Sequence, residues 1–174
     1  MRRVLRSVII KKYFETAWEV LPKDVQIELK PFIRQVREVE SLTKTRISCP
    51  DGTRFGPLES GTGFTFFYKD EQSAFADVIL PKILCDFTDA EGVCVILHEL
   101  AHAYEYATKH QEAIENEDSE HEAWNQAIAW AKSSSLAPKV KEEIEKVGLQ
   151  ARVQESFRDV CESFFSSEQA LDSF

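Results

Sequence analysis

The chain has 174 residues, 43% hydrophobic and 29% charged, with 30 acidic against 21 basic side chains and a net charge of −9. This composition is ordinary for a soluble globular protein, and the length suits one domain, residues 1–174, that buries a real core. The acidic balance argues against nonspecific nucleic-acid binding, which needs a basic footprint, and no apolar run approaches the roughly 20 residues of a membrane span.

Along the chain, Val4, Leu5, Val8, Ile9, Phe14, Ala17, Trp18 and Leu21 recur at helical spacing and predict a first helix over residues 3 to 21, ended by Pro22. Arg2, Arg3, Arg6, Lys11 and Lys12 read as its basic face. Val8-Ile9-Ile10 is too short for the core of a signal peptide. A second helical stretch, Val25 to Leu29, is followed by Pro31, which is expected to open a third with Phe32, Ile33, Val36, Val39 and Leu42. From Thr45 to Gly63, Pro50-Asp51-Gly52, Gly56-Pro57 and Gly61-Thr62-Gly63 are turn chemistry. Two β-prone runs, Gly63 to Tyr68 and Phe75 to Leu80, flank the polar Lys69 to Ser73 and predict a short antiparallel sheet.

Thr88-Asp89-Ala90-Glu91 is a capping box, and the helix behind it is almost wholly apolar through Val93, Cys94, Ile96, Leu97, Leu100, Ala101 and Ala103. Within it stands His98-Glu99-Leu100-Ala101-His102. Residues four apart share one face of a helix, so His98 and His102 are able to offer imidazole nitrogens to one metal. Glu99 points beside the pair, where it can take a proton from water without being a ligand. Two histidines and a glutamate on an apolar helix need partners, and a metal satisfies the set economically.

A catalytic zinc site needs a third protein ligand. The helix runs to about Lys109 or His110, an acidic turn covers Gln111 to Asp118, and Ser119 caps a returning helix with Glu122 as its box partner. Glu120, His121 and Glu122 all lie in the first turn, and spacing alone does not choose among them. Pro138 to Val147 is expected as a helix closed by Gly148, followed by one with Val153, Phe157, Val160, Cys161 and Phe164 on one face. Cys49, Cys85, Cys94 and Cys161 form no CxxC pair and read as small hydrophobes of a reducing, cytoplasmic compartment.

The stretch His98 to Trp130 resembles the zinc core of the small gluzincin metallopeptidases, including the ImmA/IrrE-type proteases. Their third ligand lies in a downstream helix written E-x-E-A, which Glu120-His121-Glu122-Ala123 matches, so the resemblance implies Glu120 as ligand. Val78-Ile79-Leu80-Pro81 is similar to the strand that precedes the active helix in these families.

These readings converge on a fold of the α+β class, zincin-like and mostly helical, with a small antiparallel sheet packed on the HExxH helix. The expected activity is that of a zinc (Zn2+) metallopeptidase acting on a peptide or protein substrate, with no nucleic-acid or membrane partner. His98, His102 and Glu120 are the expected ligands and Glu99 the general base. The strand Phe75 to Leu80 is expected at the sheet edge, holding an extended substrate by backbone pairing. Tyr68, Tyr104, Tyr106, His110 and His121 are chemically able to donate to an oxyanion. The alternative is a zincin-fold regulatory or interaction protein that binds zinc without proteolysis.

Overall fold

In the computed structural model, which describes residues 1–48, 54–55, 62–69, 74–109 and 119–171, the chain is α+β and mostly helical, with a four-stranded mixed sheet. The turn dipeptides at residues 50–52 and 56–57, Cys49, His110 and the acidic turn lie outside the described residues, as do the side chains of the apolar face proposed for residues 157–164.

The N-terminal segment departs from the helical reading. Arg2–Val4 is a strand, β1, and the first helix, α1, spans Val8–Val20. Ser7 starts it: its hydroxyl accepts from the amides of Ile9 and Ile10 at 3.2 and 3.3 Å. Glu38 accepts from the amides of Arg6 and Ser7, which fixes the turn out of β1. Arg2 and Arg3 are therefore strand residues, and Val8 and Ile9 face outward; Ile10, Tyr13, Phe14, Ala17 and Val20 are the buried stripe.

A second helix, α2, covers Lys23–Phe32, with Pro31 in its last turn, and the chain then extends as β2, Ile33–Val39. The expected third helix is absent here because β-branched Ile33, Val36 and Val39 lie in a strand that pairs in parallel with Ala74–Pro81, β6, and a register shift between Ile33 and Gln35 lets Ile33 and Val36 both be buried despite their helix-like spacing of three. β1 adds in parallel to the far side of β2, while Phe64–Lys69, β5, pairs antiparallel with β6. The sheet order is thus β1-β2-β6-β5. The antiparallel β5–β6 pair matches the sequence reading; the two parallel strands, hidden in segments that look helical, make the sheet mixed. β6 is interior, so the strand expected at the edge is central, and β5 is the edge. Ile47–Ser48 (β3) and Arg54–Phe55 (β4) form a separate two-stranded ladder.

Interior β6 carries Asp77, 1% exposed, whose carboxylate accepts from Arg34 and from Gln35 at 2.7 Å. A buried charge is tolerated because its lone pairs are met by these donors.

A short 3-10 turn, Lys82–Asp86, leads to α3, Asp89–Lys109, which packs against α1, α2, β5, β6 and the two later helices. Gly92 makes the α1 contact possible, since a Cβ there would collide with the ring of Tyr13. The later helices are α4, Ser119–Ser133, and α5, Pro138–Leu171. Gly148 does not end α5. It is the contact point with α4, where an added Cβ would lie 2.9 Å from Ile128 Cδ1, so its missing side chain serves helix packing instead of chain reversal. Among the described residues no helix is long and apolar enough to cross a membrane.

Candidate metal centre

The helix α3 begins as its capping box dictates. Glu91 accepts from the amide and the hydroxyl of Thr88, both at 2.8 Å, and the Glu91 amide donates to Thr88 Oγ1 at 3.3 Å. These bonds from Thr88 hold the Glu91 carboxyl below the usual range. Ten residues on, His98 and Glu99 are each 5% exposed, on the side of α3 that meets α4 and β5.

The structure brings His98, His102 and Glu120 together. Nε2 of His98 and Nε2 of His102 are 3.0 Å apart, and the Glu120 carboxylate spans them, with Oε2 3.2 Å from His98 and Oε1 3.2 Å from His102. One donor atom from each residue lies within 4.8 Å of the others. Tetrahedral ligands at zinc bond lengths of 2.0–2.1 Å stand about 3.3 Å apart, and each imidazole nitrogen lies near that spacing from the other and from one of the two Glu120 oxygens. The chemistry also fits: two imidazole nitrogens and a carboxylate oxygen are donors that zinc takes together in catalytic sites.

The electrostatics follow from this crowding. Burial acts to raise the Glu120 carboxyl, but its bonds to His102 and His98 outweigh that and hold it far below its ordinary value. Burial likewise acts to lower the His102 imidazole, and Glu120, Glu99 and Glu105 reverse the sign, leaving it raised. The Glu120 carboxylate is thus placed to accept from either imidazole.

Of the other first-turn residues, Glu122 is drawn away to Lys109, 2.6 Å from its Nζ, and neither it nor His121 belongs to the cluster. The capping pair expected of Ser119 and Glu122 gives way to contacts with α3. Ser119 Oγ donates to Glu105 Oε2 at 3.1 Å and lies 3.5 Å from Nδ1 of His102.

Glu99 stands outside the cluster and is held by β5. The Thr65 hydroxyl is 2.7 Å from Glu99 Oε2 and 2.9 Å from the Glu99 carbonyl oxygen. A Cβ on Gly63 would lie 2.5 Å from Glu99 Oε1, so only glycine lets the chain pass this close. Burial pushes the Glu99 carboxyl above its ordinary value, against the nearby histidines and the Thr65 hydroxyl. Neither Gly63 nor Thr65 was singled out from sequence as a site residue. The available signal was the alternation Phe64-Thr65-Phe66-Phe67, which sets Thr65 with Phe67 on the face of β5 that joins the main core.

Three tyrosines considered as oxyanion donors are engaged in packing. Tyr68 stacks on Phe75 at 4.9 Å, Tyr106 on Phe67 at 4.1 Å, and Tyr104 meets Trp130 edge-on at 5.8 Å. Cys94 is buried beside the Ile144 carbonyl, and burial pushes its thiol up to about 12, the behaviour of an inert packing residue.

Comparison with known proteins finds no family model, no curated protein and no solved structure that matches the chain.

Proposed function

We propose that the chain is a zinc metallopeptidase that hydrolyses peptide bonds, with His98, His102 and Glu120 holding the metal and Glu99 acting as general base. One observation carries this reading. One ligand atom from each of three residues lies within 4.8 Å of the others, with the Glu120 carboxylate bridging the two imidazoles, while the carboxylate next in sequence to His98 is kept out of that cluster, buried and raised in pKa.

Zinc, when bound, supplies Lewis acidity that polarises a carbonyl and acidifies water. Glu99 receives the proton of the attacking water and returns it to the departing amine, a task suited to a carboxyl that burial makes more basic than usual. Thr65 and Gly63 fix the direction in which that carboxylate points. β5, the edge strand beside the site, offers its outer backbone to an extended peptide. A purely structural metal site is ordinarily closed by four protein ligands, and the described cluster has three.

The test is Glu99→Gln against the native chain on a mixture of peptides read by mass spectrometry, with zinc content measured in parallel. The variant is expected to keep zinc and lose hydrolysis by about 10²–10⁴. Equal cleavage by both, or none by the zinc-loaded native chain, refutes the peptidase reading and leaves a binding protein.

A further inference from the structure

The two histidines of the cluster are supported unequally. His102 has a route for the proton on its second nitrogen: Nδ1 faces Ser119 Oγ at 3.5 Å, and that hydroxyl donates to Glu105 at 3.1 Å. His98 has none. Its Nδ1 is buried and makes no hydrogen bond among the described residues. The imidazole instead lies against the Trp124 indole, with ring centroids 3.8 Å apart and planes 23° from parallel. A stacked ring sits above the imidazole plane, whereas an N–H on Nδ1 points within that plane, so the stack cannot accept that proton.

This asymmetry has a consequence for metal binding. For Nε2 of His98 to be a ligand, the imidazole proton must reside on Nδ1. There it becomes a buried donor with no acceptor, a costly arrangement. With the proton on Nε2, His98 donates to Glu120 Oε2, 3.2 Å away, and leaves only an unfilled lone pair on Nδ1. The metal-free tautomer is the better satisfied one. Metal-binding histidines ordinarily pass their second N–H to a carboxylate, carbonyl or water, and loss of that partner lowers affinity 10–100-fold.

We propose that His98, covered on its ring face by Trp124 and left without an acceptor for Nδ1 among the described residues, makes this an exchangeable metal site whose occupancy follows the free zinc concentration. The inference rests on the metal assignment above and concerns how that same centre is regulated. Glu120 and Trp124 are four apart on α4 and share the face turned to His98, so one helix supplies both the third ligand and the residue that weakens the first.

The experiment is a competition for zinc between a chromophoric chelator and the metal-stripped chain, for the native protein, Trp124→Asn and Trp124→Phe, with folding checked by circular dichroism. Asparagine introduces an acceptor and is expected to tighten zinc 10–100-fold; phenylalanine keeps a stack without an acceptor and is expected to leave affinity unchanged. A folded Trp124→Asn that binds no tighter than the native chain overturns the proposal. Nitrogen-detected NMR of the native zinc-loaded protein tests it without a variant. The His102 Nδ1 proton is expected at the downfield position of a hydrogen-bonded imidazole, and the His98 proton is not. A downfield His98 proton equally overturns the proposal. Zinc bound by none of the three chains removes the metal centre itself, whereas tight binding by all three removes only the role of Trp124.

Discussion

The hydroxyl of Thr65 lies 2.7 Å from the carboxylate of Glu99 and 2.9 Å from the carbonyl of the same residue, so one side chain on an edge strand holds both ends of Glu99. The contact is buried, with Thr65 at 7% exposure and Glu99 at 5%. Thr65→Val keeps the shape and removes the hydroxyl, leaving a buried carboxyl without that partner. A loss of about 1–3 kcal/mol in denaturant unfolding is expected, and Thr65→Ser should recover most of it. A Thr65→Val chain as stable as the native one would show that the bond carries no net stabilisation.

Gly63 and Glu99 are expected to be energetically coupled. The Cβ of Gly63→Ala would meet Oε1, Cγ and Cδ of Glu99 at 2.5–2.8 Å, so the carboxylate must leave its place. The substitution should cost about 1–3 kcal/mol in the native background. In a Glu99→Ala background all three clashing atoms are gone and the cost should largely vanish. A double-mutant cycle with no coupling would contradict this packing.

How far the site could be read in advance divides by sequence distance. His98, Glu99 and His102 share one turn of one helix, and the Thr88–Glu91 cap that starts it is equally local. Choosing Glu120 over His121 and Glu122 needed a family pattern; the structure adds that Lys109 draws Glu122 aside. Thr65 and Gly63 reach Glu99 only through tertiary contacts across 34 residues or more, and nothing in their local spacing marks them, whereas Trp124 is carried to the site one helical turn beyond Glu120 on α4. The strands β1 and β2 were misread for the reverse reason. Their short apolar spacings fit a helix, and only the parallel pairing of β2 with β6 and of β1 with β2 decides the outcome.

His98→Ala and His102→Ala are each expected to abolish stoichiometric zinc in the purified chain, and Glu120→Ala to weaken zinc far more than His121→Ala or Glu122→Ala. Metal analysis after dialysis is the measurement. Because zinc binds the folded state, its loss should also lower the melting temperature measured in excess zinc. Full occupancy in a His98→Ala/His102→Ala chain would rule out the assigned ligands.

The pH dependence of the metal-free chain follows from the same cluster. His102 is held above its ordinary 6.5, so its contribution is whole below that value and is lost as pH rises through the raised folded value. Glu120 is held below its ordinary 4.5, so its contribution is present above 4.5 and is lost as pH falls toward the lowered folded value. Glu99 is pushed above 4.5, so its contribution is whole below 4.5 and is lost as pH rises through its raised folded value. Metal-free stability should therefore decline as pH rises above 6.5. Zinc competes with the proton on the imidazoles, so the rise in melting temperature that it produces should grow from about pH 6 to about pH 8. A zinc-induced shift that is flat with pH would be inconsistent with imidazole ligands.

The helix α3 touches α1, α2, α4, α5, β5 and β6. No partial opening can bare the amides around His98 to His102 while the rest of the domain stays closed, so their exchange with deuterium should follow global unfolding alone. Glu120, the third ligand under the proposed assignment, belongs to α4, outside that central position. In kinetic terms, release of a zinc ion held as proposed is then expected to be limited by separation of α4 from α3, with the histidine helix as the fixed side of that movement.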